Sequence, residues 1–251
     1  MNKQGPKGIE WTTYTHNVLG GCFHDCQWLM TDRSVASCYA GDVANGVARA
    51  AYPEGFKHHY FHPERLDDPL KVKEPSRIFI DSMADMFGHW VPDEQIKLIL
   101  DSCRKAHWHT FQSLTKNAPR LLKFADLLPP NLWVGVSMPP TYMNGKRLSS
   151  QMQDSYMMKA LNILAQISFK QGNVTWMSLE PLSFDVSAFI KELGGSLDWL
   201  VIGAASNGRT KYQPAREHVQ ALLNAADLWD IPVFMKGNLT WEPRREEYPQ
   251  P

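Results

Sequence analysis

From residue 77 onward, short apolar runs alternate with stretches whose apolar positions recur at helical spacing. Residues 77–82 (RIFIDS) read as a strand closed by polar Asp81 and Ser82. Pro92 then opens a segment with Ile96, Ile99, Leu100 and Cys103 on one face, the i, i+3, i+4, i+7 pattern of an amphipathic helix. The same pair of signals repeats down the chain. Strands are predicted at 109–115, 132–138, 175–179, 197–204 and 232–236. Helices between them carry Leu121, Phe124 and Leu128, then Met157, Leu161, Leu164 and Ile167, then Val186, Phe189, Ile190 and Leu193, and last Val219, Leu222, Leu223 and Ala226. Residues 9–21 offer one more strand. Such alternation predicts an α/β protein with a parallel sheet. About six or seven βα units fit a closed or partly open barrel better than two domains, with a doubly wound open sheet as the alternative.

Either architecture gathers the polar residues that close each strand at the strands' C-terminal ends, where α/β folds place their sites. Here these are Asp81, Ser82, Asp85, Thr115, Lys116, Ser137, Ser178, Glu180, Ser206, Asn207 and Lys236. Glu180 precedes Pro181, so its backbone is extended or turned and not helical.

Composition narrows the class. The 251 residues are 43% hydrophobic and 21% charged, as in globular proteins. Lysine plus arginine and aspartate plus glutamate each total 26, so bulk basic charge does not drive nucleic-acid binding. No apolar run reaches the length of a membrane span, and the first residues, MNKQGPKGIEW, lack a signal-peptide core. A cytoplasmic protein without membrane partners is expected. One domain is expected over 1–251, with 242–251 (EPRREEYPQP) as a flexible tail.

Three of the four cysteines lie close together in GGCFHDCQWLMTDRSVASCYAGD, as Cys22-x3-Cys26-x11-Cys38. Clustered thiols in a chain too cysteine-poor for a disulfide scaffold point to metal or catalysis. Two metal readings stay open. Zinc takes four ligands in a structural site, and His24 or His16 would complete that set. A cubane iron–sulfur cluster takes three protein thiolates and leaves one iron for an exchangeable ligand. Cys103 lies on an apolar helical face and reads as a core thiol. The string FKHHYFHPERL, with His58, His59 and His62, reads as a packed loop, and the tryptophans, among them Trp28, Trp90, Trp108 and Trp133, as core before stacking platforms.

At this point the sequence resembles the phage-associated three-Cys-motif proteins, a radical SAM-like family of largely unknown function. The pieces carrying the resemblance run in order over nearly the whole chain. They include IEWT from Ile9, CYA from Cys38, HPERLDDPL from His62, RIFIDSMADMF from Arg77, HTFQSLTK from His109, NLWVGVS from Asn131, SLEPL from Ser178 and LDWLVIG from Leu197. The resemblance implies a partial TIM-type barrel holding a [4Fe–4S] cluster on Cys22, Cys26 and Cys38, together with S-adenosylmethionine (SAM). It implies reductive cleavage of SAM by an electron from an external donor, and hydrogen abstraction from a substrate by the resulting 5′-deoxyadenosyl radical. A nucleotide or DNA base is the substrate class that phage association favours, in the host cytoplasm if the chain is phage-encoded. Asp81, Ser82, Asp85, Ser137, Ser178 and Glu180 are then expected to contact SAM. Lys116 and Lys236 are expected to face the substrate.

Two departures from the family pattern stand out. No cysteine lies between Cys26 and Cys38, so either Cys26 acts as the second ligand across a long insertion or the cluster is altered. Gly203-Ala204-Ala205-Ser206 replaces a Gly-Gly-Glu-Ser run, so an expected carboxylate is missing. A zinc-stabilised binding protein and a degenerate member acting as an interaction partner are the competing functions.

Overall fold

The computed structural model describes residues 1–5, 8–30, 33–205 and 213–250. Ser206 and Asn207 lie outside the described residues. The strands in chain order are β1 (Asn2–Lys3), β2 (Tyr14–His16), β3 (Leu19–Gly20), β4 (Gln27–Leu29), β5 (Val35–Ser37), β6 (Tyr60–Phe61), β7 (Arg77–Ile80), β8 (Thr110–Thr115), β9 (Leu132–Ser137), β10 (Tyr142–Met143), β11 (Lys146–Arg147), β12 (Thr175–Leu179), β13 (Trp199–Ile202) and β14 (Val233–Met235). The helices are α1 (Tyr39–Asn45), α2 (Asp93–Lys105), α3 (Ala118–Phe124), α4 (Ser150–Gln171), α5 (Ser187–Leu193) and α6 (Arg216–Asp227). Among the described residues, no helix is long and apolar enough to cross a membrane.

The central sheet has eight strands in the order β1-β2-β7-β8-β9-β12-β13-β14. Neighbours from β2 to β14 are parallel, and only the short edge strand β1 runs antiparallel. The order never reverses, so the sheet lacks the switch point of a doubly wound fold, and that alternative falls away. The strand expected within residues 9–21 is β2, beside β7.

Strand alternation divides the core in two. One set of side chains, among them Ile78, Phe111, Val134, Met177, Leu200 and Val233, packs in the cluster that contains the apolar faces of the helices. The alternate set, Phe79, Trp176, Trp199, Val201 and Phe234, forms a separate cluster with Trp11 from the segment before β2. Trp11 lies 4.7 Å from the ring of Phe79, 5.1 Å from that of Trp176 and 5.9 Å from that of Trp199. Gly135 makes room for this plug, because a Cβ there would stand 2.5 Å from the Trp176 indole. The strand-end residues lie beyond the aromatic layer, so the plug forms the floor of whatever the strand ends enclose.

Segments flanking the two ends of the sheet also meet. The Gly237 N–H, just after β14, donates to Glu10, just before β2, at 2.6 Å. In the segment after β14, Glu246, Glu247 and Tyr248 contact the sheet. Glu246 bridges Phe234 in antiparallel fashion, and Trp199 Nε1 donates to the Glu247 carbonyl at 2.8 Å. Tyr248 stacks on Trp199, with the Arg77 guanidinium 3.9 Å from its ring centroid. The open edge of β14 presents backbone groups that need partners, and this segment supplies them.

A second sheet, ordered β11-β10-β4-β5, joins the hairpin after β9 to a hairpin in the cysteine segment.

Candidate functional site

The C-terminal ends of the parallel strands enclose a cavity of about 530 Å³. Lys116, Ser137, Ser178, Glu180 and Lys236 all line it. Their convergence follows from register: Ser137 and Ser178 are paired across β9 and β12, and each of the other three follows a strand end by one residue. Trp11 and Phe79 line the same cavity from the aromatic cluster, and Trp28 and Tyr39 from the cysteine segment. The cavity is therefore part aromatic and part charged, as suits a ligand with both a ring and ionic groups.

Glu180 and Lys236 form an ion pair, both largely shielded from solvent. Asn238 stands beside them and fixes the end of β13, accepting from the Ala204 N–H at 3.1 Å and donating to its carbonyl at 3.0 Å. This bears on the missing carboxylate. Ala205 packs with Cys26, Trp28 and Ala36. The Glu180 side chain crowds Gly203, where a Cβ would lie 3.0 Å from its Cγ. A carboxylate from the neighbouring strand thus stands beside the end of β13.

The unusual cysteine spacing has a geometric answer. Strands β4 and β5 form an antiparallel ladder in which Gln27 pairs with Ser37, Trp28 with Ala36 and Leu29 with Val35. Cys26 and Cys38 are the next opposed positions of that register. Eleven intervening residues therefore cost nothing in proximity: an antiparallel ladder brings directly opposed residues to about 5 Å between Cα atoms. Cys22, Cys26 and Cys38 line one further cavity, of about 360 Å³. Cys38 and Ser37 line both cavities, so the thiols adjoin the larger chamber. Trp28 keeps the hairpin in place by packing against Cys26, Met30 and Ala36.

All three thiols are free of disulfides. Burial pushes Cys26 up to about 12 and Cys22 well above the ordinary thiol value, with Asp85 adding to both. Without a metal these two stay protonated at neutral pH, whereas bound metal cations favour the thiolate. The donor set suits a cubane cluster, since three thiols surround a common space. Among the described residues, no three His, Cys, Asp or Glu side chains converge tightly enough to hold one metal ion. Neither histidine considered for a zinc set points its Nε2 at the thiols. His16 Nε2 lies 2.9 Å from the Arg65 carbonyl, and burial lowers its pKa to about 4. His24 Nε2 lies 2.8 Å from Asp85.

Asp81, Ser82 and Asp85, expected to contact SAM, are not among the residues lining the large cavity. They brace it. Asp85 is buried and its oxygens are taken: His24 Nε2 and the Lys116 N–H each reach Oδ2 at 2.8 Å, and the Phe87 N–H reaches Oδ1 at 3.0 Å. It thereby ties the cysteine loop to the end of β8. Ser82 donates to Asn17 at 3.1 Å, and its carbonyl accepts from the Tyr39 hydroxyl at 2.6 Å.

Asp81 accepts from the Leu19 N–H at 2.8 Å and holds a left-handed backbone conformation with φ 54°. Burial raises its pKa to about 8, against the pull of the Leu19 and Val18 N–H groups, and the nearby Asp85 charge raises it further. A carboxyl that is neutral when folded and ionised when unfolded binds an extra proton in the fold. Stability should therefore fall as pH rises from about 4 to about 8, by at most ~1.4 kcal/mol per pH unit. Asp81→Asn, which keeps the acceptor and tolerates this backbone, should remove that slope in urea titrations. A variant whose pH profile parallels the parent's would refute the assignment.

Sequence reasoning missed Tyr39 and Asn238. Tyr39 directly follows a ligand candidate, and Asn238 lies two residues past a strand-end lysine, so position alone could have flagged both. Of the tryptophans weighed as stacking platforms, Trp28 reaches the cavity. Trp90 stacks on Phe23, Trp108 bonds the Val72 carbonyl, and Trp133 joins the aromatic cluster. His59 bonds Gln95 of α2 and His62 pairs with Glu64, so both rings have partners outside any metal site.

Comparison with known proteins places this fold. A doubly substituted spore photoproduct lyase, solved with bound AdoMet and dinucleoside spore photoproduct, is similar at a TM-score of 0.50 and 10% identity. A singly substituted form of that lyase matches equally, with the same TM-score and identity. Each match covers 88% of this chain, which spans 63% of the lyase chain. At such identity the likeness is one of fold. No curated protein matches the chain. The profile of one family, described as "Protein of unknown function (DUF5131)", matches residues 6–249, and the chain belongs to that family.

Proposed function

We propose that this protein is a radical SAM-type iron–sulfur enzyme, with a [4Fe–4S] cluster held by Cys22, Cys26 and Cys38 and SAM seated in the adjoining chamber. The observation that carries this reading is the hairpin register, which sets Cys26 opposite Cys38 at a wall shared by the thiol cavity and the strand-end chamber. Support comes also from the fold, which matches that of a lyase solved with AdoMet bound. When bound, such a cluster and SAM supply a one-electron cleavage of the sulfonium that yields methionine and a 5′-deoxyadenosyl radical.

The chain's own residues then bind, orient and exclude water. Ser137 and Ser178 offer hydroxyls to ribose or to the methionyl group. Lys116 offers a cation to a carboxylate. The Glu180–Lys236 pair presents both charges at the chamber wall, and Asn238 holds it against the end of β13. The aromatic plug closes the floor, so solvent and substrate enter from the strand-end side. A nucleotide or nucleobase is the substrate class that fits these ring faces and ionic groups. The lyase of similar fold holds a dinucleoside photoproduct.

The test is product formation. Reconstituted protein given dithionite and SAM should release 5′-deoxyadenosine, and should cease to do so when any one of the three cysteines is replaced. Release that is absent from the parent, or unchanged in the cysteine variants, would overturn the reading.

A further inference from the structure

We propose that Lys116 sets the reduction potential of the cluster, acting as a fixed positive charge beside it, in addition to any contact it makes with SAM. This inference rests on the reading above. Three observations place the ammonium. Lys116 lines the chamber together with Cys38. Its Nζ lies 5.8 Å from the ring centroid of Trp28, and Trp28 belongs to the same buried cluster as Cys26. Its backbone N–H is anchored at 2.8 Å to Asp85, the same carboxylate that holds His24 between Cys22 and Cys26. Its amide thus shares Asp85 with His24, and its ammonium faces Trp28 of the cysteine segment.

The consequence is electrostatic. A four-iron cluster on three thiolates is anionic, and each added electron makes it more so, so its potential follows the charges around it. A cation in a partly buried wall is screened far less than one in water. Asp85 works in the opposite sense, but its oxygens are already engaged by His24 and two backbone N–H groups. Lys116 therefore stabilises the reduced cluster relative to the oxidised one. This separates it from Lys236, whose charge is paired with Glu180.

The test is a dye-mediated anaerobic redox titration of the reconstituted full chain, followed by EPR, without SAM. Lys116→Met should lower the ratio of reduced to oxidised cluster at any fixed potential about tenfold, equivalent to a midpoint about 59 mV more negative for one electron. Lys116→Arg keeps the charge and should stay within about threefold of the parent. Lys116→Gln provides a second neutral variant should the methionine form fail to fold or load iron. Neutral variants with the parent's midpoint, even if they bind SAM more weakly, would overturn the inference and leave the enzyme reading intact. A parent protein that loads no four-iron cluster by iron and sulfide analysis would overturn the reading itself and this inference with it.

Discussion

Alanine in place of Cys26 or Cys38 is expected to cut bound iron from about four atoms per chain to well under one, with the parallel sheet intact by circular dichroism. The two thiols sit at opposed positions closing one hairpin, so neither has a substitute. Cys103 cannot replace them, being buried against α2's packing partners in the main core. The hairpin makes a sharper form of the prediction possible. Deleting the opposed pair Leu29 and Val35 together shortens the ladder but leaves Cys26 facing Cys38, and iron binding should survive. Deleting Val35 alone shifts one strand by a residue and sends every following side chain to the other face. That variant should lose the iron. Equal loss in both would mean that the hairpin is not what aligns the thiols.

The second large effect is expected at Asp85. Asp85→Ala should cost about 3–5 kcal/mol in urea unfolding at neutral pH, since it strands a buried histidine and two backbone donors. Burial alone would raise the Asp85 pKa, but His24, the Lys116 N–H and the Thr115 hydroxyl hold it below the ordinary carboxylate value. An acid with a depressed folded pKa contributes stability above its unfolded pKa and loses it as pH falls through the folded one. The gap between the parent and Asp85→Ala should therefore be full at neutral pH and narrow below about pH 4. A gap that is small at neutral pH, or that widens in acid, would contradict the bracing role.

Periodicity was enough to read most of the scaffold. Every predicted strand from β7 to β14 and each helix between them is present, because buried parallel strands and amphipathic helices carry strong apolar patterns. The idea that strand-end polar residues share a chamber holds for Lys116, Ser137, Ser178, Glu180 and Lys236. It does not hold for Asp81 and Asp85, since an acid that caps a loop internally and one that meets a ligand look alike in sequence. The β4–β5 hairpin was hidden for a different reason. It is short, carries no Asn-Gly or Asp-Gly turn, and its alternation of Trp28 and Met30 against Ala36 spans too few residues to register. The stacking of Tyr248 on Trp199 was masked by the proline and charge around it.

The central claim is that three thiols hold a cluster whose open iron faces the strand-end chamber. EPR of the anaerobically reconstituted, dithionite-reduced protein, recorded before and after SAM, tests it most directly. The account predicts about four irons and matching sulfide per chain, and a reduced-cluster signal that changes on adding SAM. A colourless protein holding a single zinc, or a cluster signal indifferent to SAM, would contradict it.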